Sequence, residues 1–314
     1  MIHASYLHDA LRTTWAMRHT ALQIMLATTP DDAKVAARRK LPQVRGQVAI
    51  LPIHGVISQR ASIWHDLFGG TSTEGLAAAY TQAVNDSRIE AVVFDVDSPG
   101  GTISGVEEAA DIINTGSALK ETVAVANSEA ASAAYWLASQ VGSGKKRFAA
   151  APGAEVGSIG VYRMHEDISE MLAEEGVKVT FLAVPEHKVE ANPYQPLSDE
   201  ARDHHMGQVN ATYGRFTAAV ARGRGVSDSV VRERFGKGRM YDSREAADMG
   251  LVDRVATMGR VLSELGVNKT AKLTAAERQD ATDTLCHAWE VGMPQQLTRW
   301  QDVVAERMRR KFRG

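Results

Sequence analysis

The chain has 314 residues, 44% of them hydrophobic and 24% charged, and a formal net charge of −2. That length is ample for a real core in one large or two ordinary domains, and the near-neutral balance gives no whole-chain sign of nucleic-acid binding. A single cysteine, Cys286, excludes an internal disulfide and a cysteine-rich zinc site, and no uninterrupted apolar run approaches the ~18 residues of a membrane span.

In chain order, the N-terminus does not read as a signal peptide, because Arg12, Arg18 and several His and Thr residues interrupt its apolar positions. The expectation is a soluble, cytoplasmic protein. Residues 5–28 read as one long helix with Leu11, Trp15, Leu22 and Met25 on related faces. Such a helix suits docking on its own core and packing on a neighbouring subunit equally well. Asp31-Asp32, the basic run Arg38-Arg39-Lys40 and Pro42 read as a linker. These features set residues 1–46 apart as a helical arm and linker.

The main domain is expected over 47–266. Gln47 to Ile53 is a buried strand, after which His54-Gly55-Val56-Ile57 turns away, and Thr73 caps a helix from Glu74 to Val84. Ile89 to Val96 is a second strand, and its continuous run Ala91-Val92-Val93-Phe94 suits a parallel sheet covered on both faces. A helix over 104–115, a strand over 122–126 and a helix around Ser132 continue the alternation that marks the α/β class. Short strands follow at 147–150 and 156–161, then a helix over 166–175 and a strand over 177–183. A long helix from Ser198 to about Arg222 carries Met206, Val209, Tyr213, Phe216 and Val220 as a core-facing stripe. Helices near 227–235 and 243–249 and a strand over 251–256 close the domain. Residues 267–314 read as a helical tail: Thr274 caps one helix, Leu297, Trp300 and Val304 mark another, and 306–313 are basic.

Four stretches carry candidate chemistry. Asn127 to Ala138 surrounds one hydroxyl, Ser132, with small residues after a strand. A serine where a strand gives way to a helix can expose its oxygen beside free helix N-terminal amides; the same stretch also suits a buried Ala/Ser-rich helix packed on a sheet. Asp97-Ser98-Pro99-Gly100-Gly101 lets a backbone N–H point outward with no Cβ in the way, an oxyanion donor to which Ala133 would add a second. It equally suits a turn needing positive φ. Glu155 to Val161 holds Gly157 and Gly160 in a strand, which suggests close backbone approach, and Ser158 is placed to bond a catalytic group or to serve structure alone. The fourth is the loop 184–197, with Lys188. A lysine acts as a general base when burial lowers its pKa, although a loop lysine is ordinarily just solvated.

Together, Asp97-Ser98-Pro99-Gly100-Gly101, Ala131-Ser132-Ala133-Ala134-Tyr135, Val156-Gly157-Ser158-Ile159-Gly160-Val161, and Lys188 before Asn192-Pro193-Tyr194 resemble the signal peptide peptidase A family of serine peptidases over about residues 47–256. Within it the chain is most similar to the phage head-maturation (prohead) proteases, to which the Asn-Pro-Tyr-x-Pro-Leu-Ser segment points. The resemblance implies a Clp protease and crotonase-like α/β spiral of ββα units, here with a long N-terminal helix and a helical C-terminal tail. It implies a serine endopeptidase with a Ser–Lys dyad, Ser132 as nucleophile and Lys188 as base. Gly101 and Ala133 form the oxyanion hole, supported by Gly100 and Ser158. No metal or cofactor is implied. The implied partners are capsid, scaffold or portal proteins and further copies of the chain in a ring, with no membrane and no nucleic acid, in host cytoplasm or procapsid interior. Val184-Pro185 stands where the family usually carries Ala-Gly-x-x-Lys, so Lys178 is kept as the alternative base. His54, His165 and His187 lie in no motif tied to Ser132. Rival readings are a soluble bacterial signal-peptide-peptidase-like protease degrading peptides, an acyl-CoA enzyme of the crotonase type and a non-catalytic capsid-assembly factor.

Overall fold

The computed structural model describes residues 13–27, 41–60, 70–142, 147–267 and 273–292. It opens with strand β1 (Trp15–Met17) and helix α1 (His19–Ala27). The expected single helix over 5–28 is therefore corrected where it can be seen; residues 5–12 lie outside the described residues. Trp15, Ala16 and Met17 are all buried, and their backbone pairs with Gly100–Thr102. A helix could bury only one stripe of this stretch, so sheet pairing overrides the i, i+4 pattern.

Strands β2 (Gln43–Arg45), β3 (Val48–Ser58) and β4 (Gly70–Ser72) lead into helix α2 (Thr73–Asn85). The N-cap is Ser72 rather than Thr73, its hydroxyl accepting from Gly75 N at 3.2 Å. β3 does not turn away at His54. It continues through a bulge between His54 and Val56, pairing Val56 and Ile57 with the end of the next strand. That strand is β5 (Ala91–Thr102), followed by α3 (Val106–Ser117), β6 (Glu121–Ala131) and α4 (Ala133–Ser139). β7 (Phe148–Ala150), β8 (Glu155–Gly157), α5 (Ser169–Glu174) and a 3-10 turn at Glu186–Val189 precede the long α6 (Asp199–Arg224). α7 (Asp228–Arg234), β9 (Met240–Asp242), α8 (Ser243–Met249), β10 (Arg254–Val255), α9 (Met258–Glu264) and α10 (Ala275–Val291) complete the described chain.

The sheet runs in the order β10-β7-β6-β5-β3-β2, with β3, β5, β6, β7 and β10 parallel and β2 antiparallel at the edge. This is the mixed α/β architecture expected from the strand–helix alternation. Side chains alternate between two covered faces, as a parallel sheet requires. Leu51, Ile53, Phe94, Val96, Ala124 and Ala126 enter the main core with residues of α2, α3 and α4. Ile50, Val93, Val123 and Val125 enter a second cluster with Val261 and Leu262 of α9.

Two regions differ from the pattern in the sequence. Residues 177–183 form no strand; Leu182 and the following Val184 are 97% and 96% exposed. An apolar run becomes a strand only where an edge is offered to it, because strand propensity largely reflects packing on neighbours. The stripe on α6 is likewise split, with Phe216 and Val220 buried but Met206 exposed. At the other end, α10 is no loose extension. It opens with the expected Thr274 cap, reciprocated by Glu277 in a capping box, and inserts Ala281, Leu285 and Trp289 into the main core. Helix α2 meets it through Gly75, where a Cβ would lie 2.4 Å from Trp289 O. Trp289→Ala is expected to lower unfolding free energy by about 3–5 kcal/mol, the usual cost of truncating a buried tryptophan, readable in a urea titration. A change under about 1 kcal/mol, typical of surface substitutions, would show that α10 only rests on the core.

Candidate active site

β6 ends at Ala131 and α4 begins at Ala133, so Ser132 is the hinge between them. The helix does not start near Asn127 as the composition suggested. Glu129, Ala130 and Ala131 instead pair in parallel with Glu155, Val156 and Gly157 of β8. The strand then breaks sharply: Ser132 has φ 54° and ψ −116°, a conformation that costs a residue with a Cβ about 1–3 kcal/mol and persists only when its surroundings enforce it. The enforcement is visible. Ser132 N donates to Gly157 O at 2.9 Å, and Trp136 N donates to Ser132 O at 2.9 Å. The Ser132 hydroxyl donates to Gly160 O at 3.3 Å, a long bond. Ala133 heads α4, where first-turn amides have no intrahelical acceptor.

The glycine pair Gly100–Gly101, which belongs to β5 and not to a turn after a strand ending at Val96, lies against this hinge. Gly100 has φ 97°, and a Cβ there would sit 3.0 Å from Ser132 Cβ and 3.0 Å from Ala131 O. Its N–H donates to Ser98 Oγ at 3.2 Å, while Ser98 Oγ donates to Gly55 O at 2.6 Å, tying the pair to the bulge in β3. Gly101 stands in register with Ile57 of β3 on one side and Ala16 of β1 on the other, so both its edges are covered. Ser158 also has positive φ, 53°, and its N–H donates to Arg239 O at 2.8 Å. It lies between the two glycines whose carbonyls hold Ser132, so 157–160 wraps the hinge.

Lys188 is placed differently. It is exposed, in the 3-10 turn, and among the described residues no hydrogen bond or ion pair engages its ammonium. It lines a cavity of about 550 Å³ with Arg163, Glu190, Tyr194, His205 and Met206. The cavity wall begins at Val161, one residue beyond the carbonyl that holds the Ser132 hydroxyl, but Ser132 does not line it. The structure thus gathers Ser132, Ala133, Gly100, Gly101 and Ser158, and leaves Lys188 outside that group, on a cavity that Ser132 does not line. Lys178 is exposed in a separate hollow beside Leu172 and Tyr194. His54 is committed to Asp95 at 3.2 Å, and His187 lies 3.3 Å from Glu190. Among the described residues no group of three or more His, Cys, Asp or Glu could hold a metal ion.

Sequence reasoning gave no site role to five residues around this hinge. Trp15 and Tyr162 bond each other's backbone in both directions, at 2.9 and 3.0 Å. The Tyr162 phenol is pushed up to about 12 by burial. Arg18 bonds Glu129 at 3.0 Å and reaches Glu155 at 3.5 Å. Burial lifts the Glu129 carboxyl above its ordinary range, against the pull of Arg18. The available signal was Arg18 itself, a charge ending the apolar run Trp15-Ala16-Met17.

A strained serine between a strand and a helix, beside a glycine pair, is the layout in which serine hydrolases present a nucleophile. A model of the family described as Peptidase family S49 matches residues 115–272, and the chain belongs to that family. It is 32% identical to Capsid assembly protease C of Escherichia phage lambda, over 80% of this chain and 55% of that protein. It is 28% identical to Head-tail preconnector protein GP5 of Enterobacteria phage P21, over 85% of this chain and 52% of that protein. Protease 4 of Haemophilus influenzae is 24% identical over 78% of this chain and 38% of its own length. The chain therefore spans about half the length of the two phage relatives. Among the described residues no helix is long and apolar enough to cross a membrane.

Proposed function

We propose that the chain is a serine endopeptidase that matures phage heads, cutting capsid, scaffold or portal proteins during assembly. The observation that carries the chemistry is the enforced φ of Ser132, a strain of the kind concentrated at active sites. Similarity to the lambda capsid assembly protease supports the substrate class. In this reading Ser132 attacks a peptide carbonyl while neutral Lys188 takes its proton. Backbone amides of Ala133 and the Gly100–Gly101 pair stabilise the oxyanion, and Lys188 returns the proton to the leaving amine before water releases the acyl group.

The working form in this reading is a homo-oligomeric ring. Leu182 and Val184 are exposed shortly before Lys188, and Met206 is exposed on α6; apolar side chains left open in this way suit a contact surface. Packing that stretch on a neighbouring copy would also reposition the lysine. The test is to mix the purified protein with the capsid and scaffold proteins encoded beside it and map new termini by mass spectrometry, with light scattering on the same sample. Discrete cuts by an oligomer are expected. Intact substrates, or full activity from a strict monomer, would overturn the corresponding half of the reading.

A further inference from the structure

Strand β1 runs beside Ser132, paired on both of its edges. Its three residues pair antiparallel with the end of β5, Trp15 with Thr102, Ala16 with Gly101 and Met17 with Gly100. On its other edge Trp15 exchanges both backbone bonds with Tyr162, two residues beyond the carbonyl that holds the Ser132 hydroxyl. Arg18 N donates to Pro99 O at 2.8 Å, continuing the contact past the glycine pair. A Cβ on Gly100 would lie 2.2 Å from Ala16 O and 3.0 Å from Ser132 Cβ, which puts those two atoms no more than 5.2 Å apart. Ser132 is 0% exposed.

We infer that β1 is an intramolecular peptide filling the substrate groove, and that substrates enter by displacing it. The inference rests on Ser132 being the nucleophile. An extended chain paired on both edges is how peptides are recognised by strand addition, with main-chain bonds giving affinity and side-chain pockets giving selectivity. The ligand class follows from the occupant: an extended peptide with a large apolar residue in the place of Trp15, which packs with Met17, Leu22 and Val56, followed by a small one in the place of Ala16. The latch is Arg18, whose partners Glu129 and Glu155 sit on β6, which runs into the serine, and on β8 paired beside it. Arg18 and Glu155 are partly exposed, so the latch can be opened from solvent, whereas Trp15 and Met17 must then leave their apolar pocket.

The test uses the full chain. Wild type, Arg18→Glu and Trp15→Ala are each titrated with a fluorescent synthetic peptide carrying residues 13–19, read by anisotropy. Arg18→Glu sets a negative charge against Glu129 and Glu155, and Trp15→Ala removes the buried anchor, so each opens the groove by a different route. Wild type should bind at least ~10-fold more weakly than one of the two variants, because apparent affinity falls with the fraction of chains whose groove is open. A peptide in which alanine replaces the tryptophan should lose that binding. Equal affinity in all three proteins, or binding indifferent to the tryptophan, overturns the inference. Fluorophosphonate labelling of Ser132 in the same samples separates the two readings. Faster labelling in the variants, suppressed by the peptide, supports both. Peptide binding to a variant without labelling in any form retains β1 as the groove occupant and removes Ser132 from its role. Labelling at one rate with no peptide binding does the reverse.

Discussion

Ser132→Ala is expected to abolish peptide cleavage, by about 10⁴-fold or more where a serine acts as nucleophile, with the fold unchanged. The hydroxyl makes a single long bond to Gly160 O, and its neighbours Ala131, Ala133 and Ala134 are small and buried, so its removal opens no large cavity. Ser132→Gly should be equally inactive but more stable than Ser132→Ala by about 1 kcal/mol, because glycine takes φ 54° without a Cβ penalty that would otherwise amount to about 1–3 kcal/mol. Cleavage assays and thermal melts on the three proteins check both statements. Wild-type turnover by Ser132→Ala would remove Ser132 from the mechanism. An order of stability reversed between Ala and Gly would mean that the hinge is unstrained.

Lys188→Arg should be as inactive as Lys188→Ala, each losing about 10²–10⁴-fold, the range of a positioned general base. Arginine keeps the charge and approximate length but cannot lose its proton, so it retains the cation and destroys a base. For the same reason labelling of Ser132 by a fluorophosphonate should be seen in wild type and lost in both variants. Lys188 is exposed and lines a cavity that Ser132 does not reach, so the comparison is best made on the assembled protein. Wild-type labelling by Lys188→Arg would make Lys188 structural and return Lys178 or a histidine to consideration.

Much of this protein was legible in its sequence for local reasons. Runs such as Ala91-Val92-Val93-Phe94 carry their own signature of a strand buried on both faces, and Thr274 with Glu277 states a helix start within four residues. The glycine pair at 100–101, the serine among alanines and the glycines at 157 and 160 could be read for the same reason, because each needs particular residue types at particular places, although the strand expected over 156–161 is confined to Glu155–Gly157 and the glycine pair lies inside β5. The family followed from their order along the chain.

What the tertiary structure decided depends on partners far away in sequence. Asn127 to Ala131 is strand and not helix because β8 offers it an edge, whereas residues 177–183 pair with no strand among the described residues. Trp15–Met17 reads as part of a helix until the open edge at Gly100–Thr102 and the backbone of Tyr162 are placed on either side of it. Hydrogen bonding to a distant backbone leaves no periodicity in the three residues that receive it. The hinge chemistry at Ser132 was therefore written in the sequence, whereas the covering of that hinge by the chain's own N-terminal strand emerges only when the sheet closes around it.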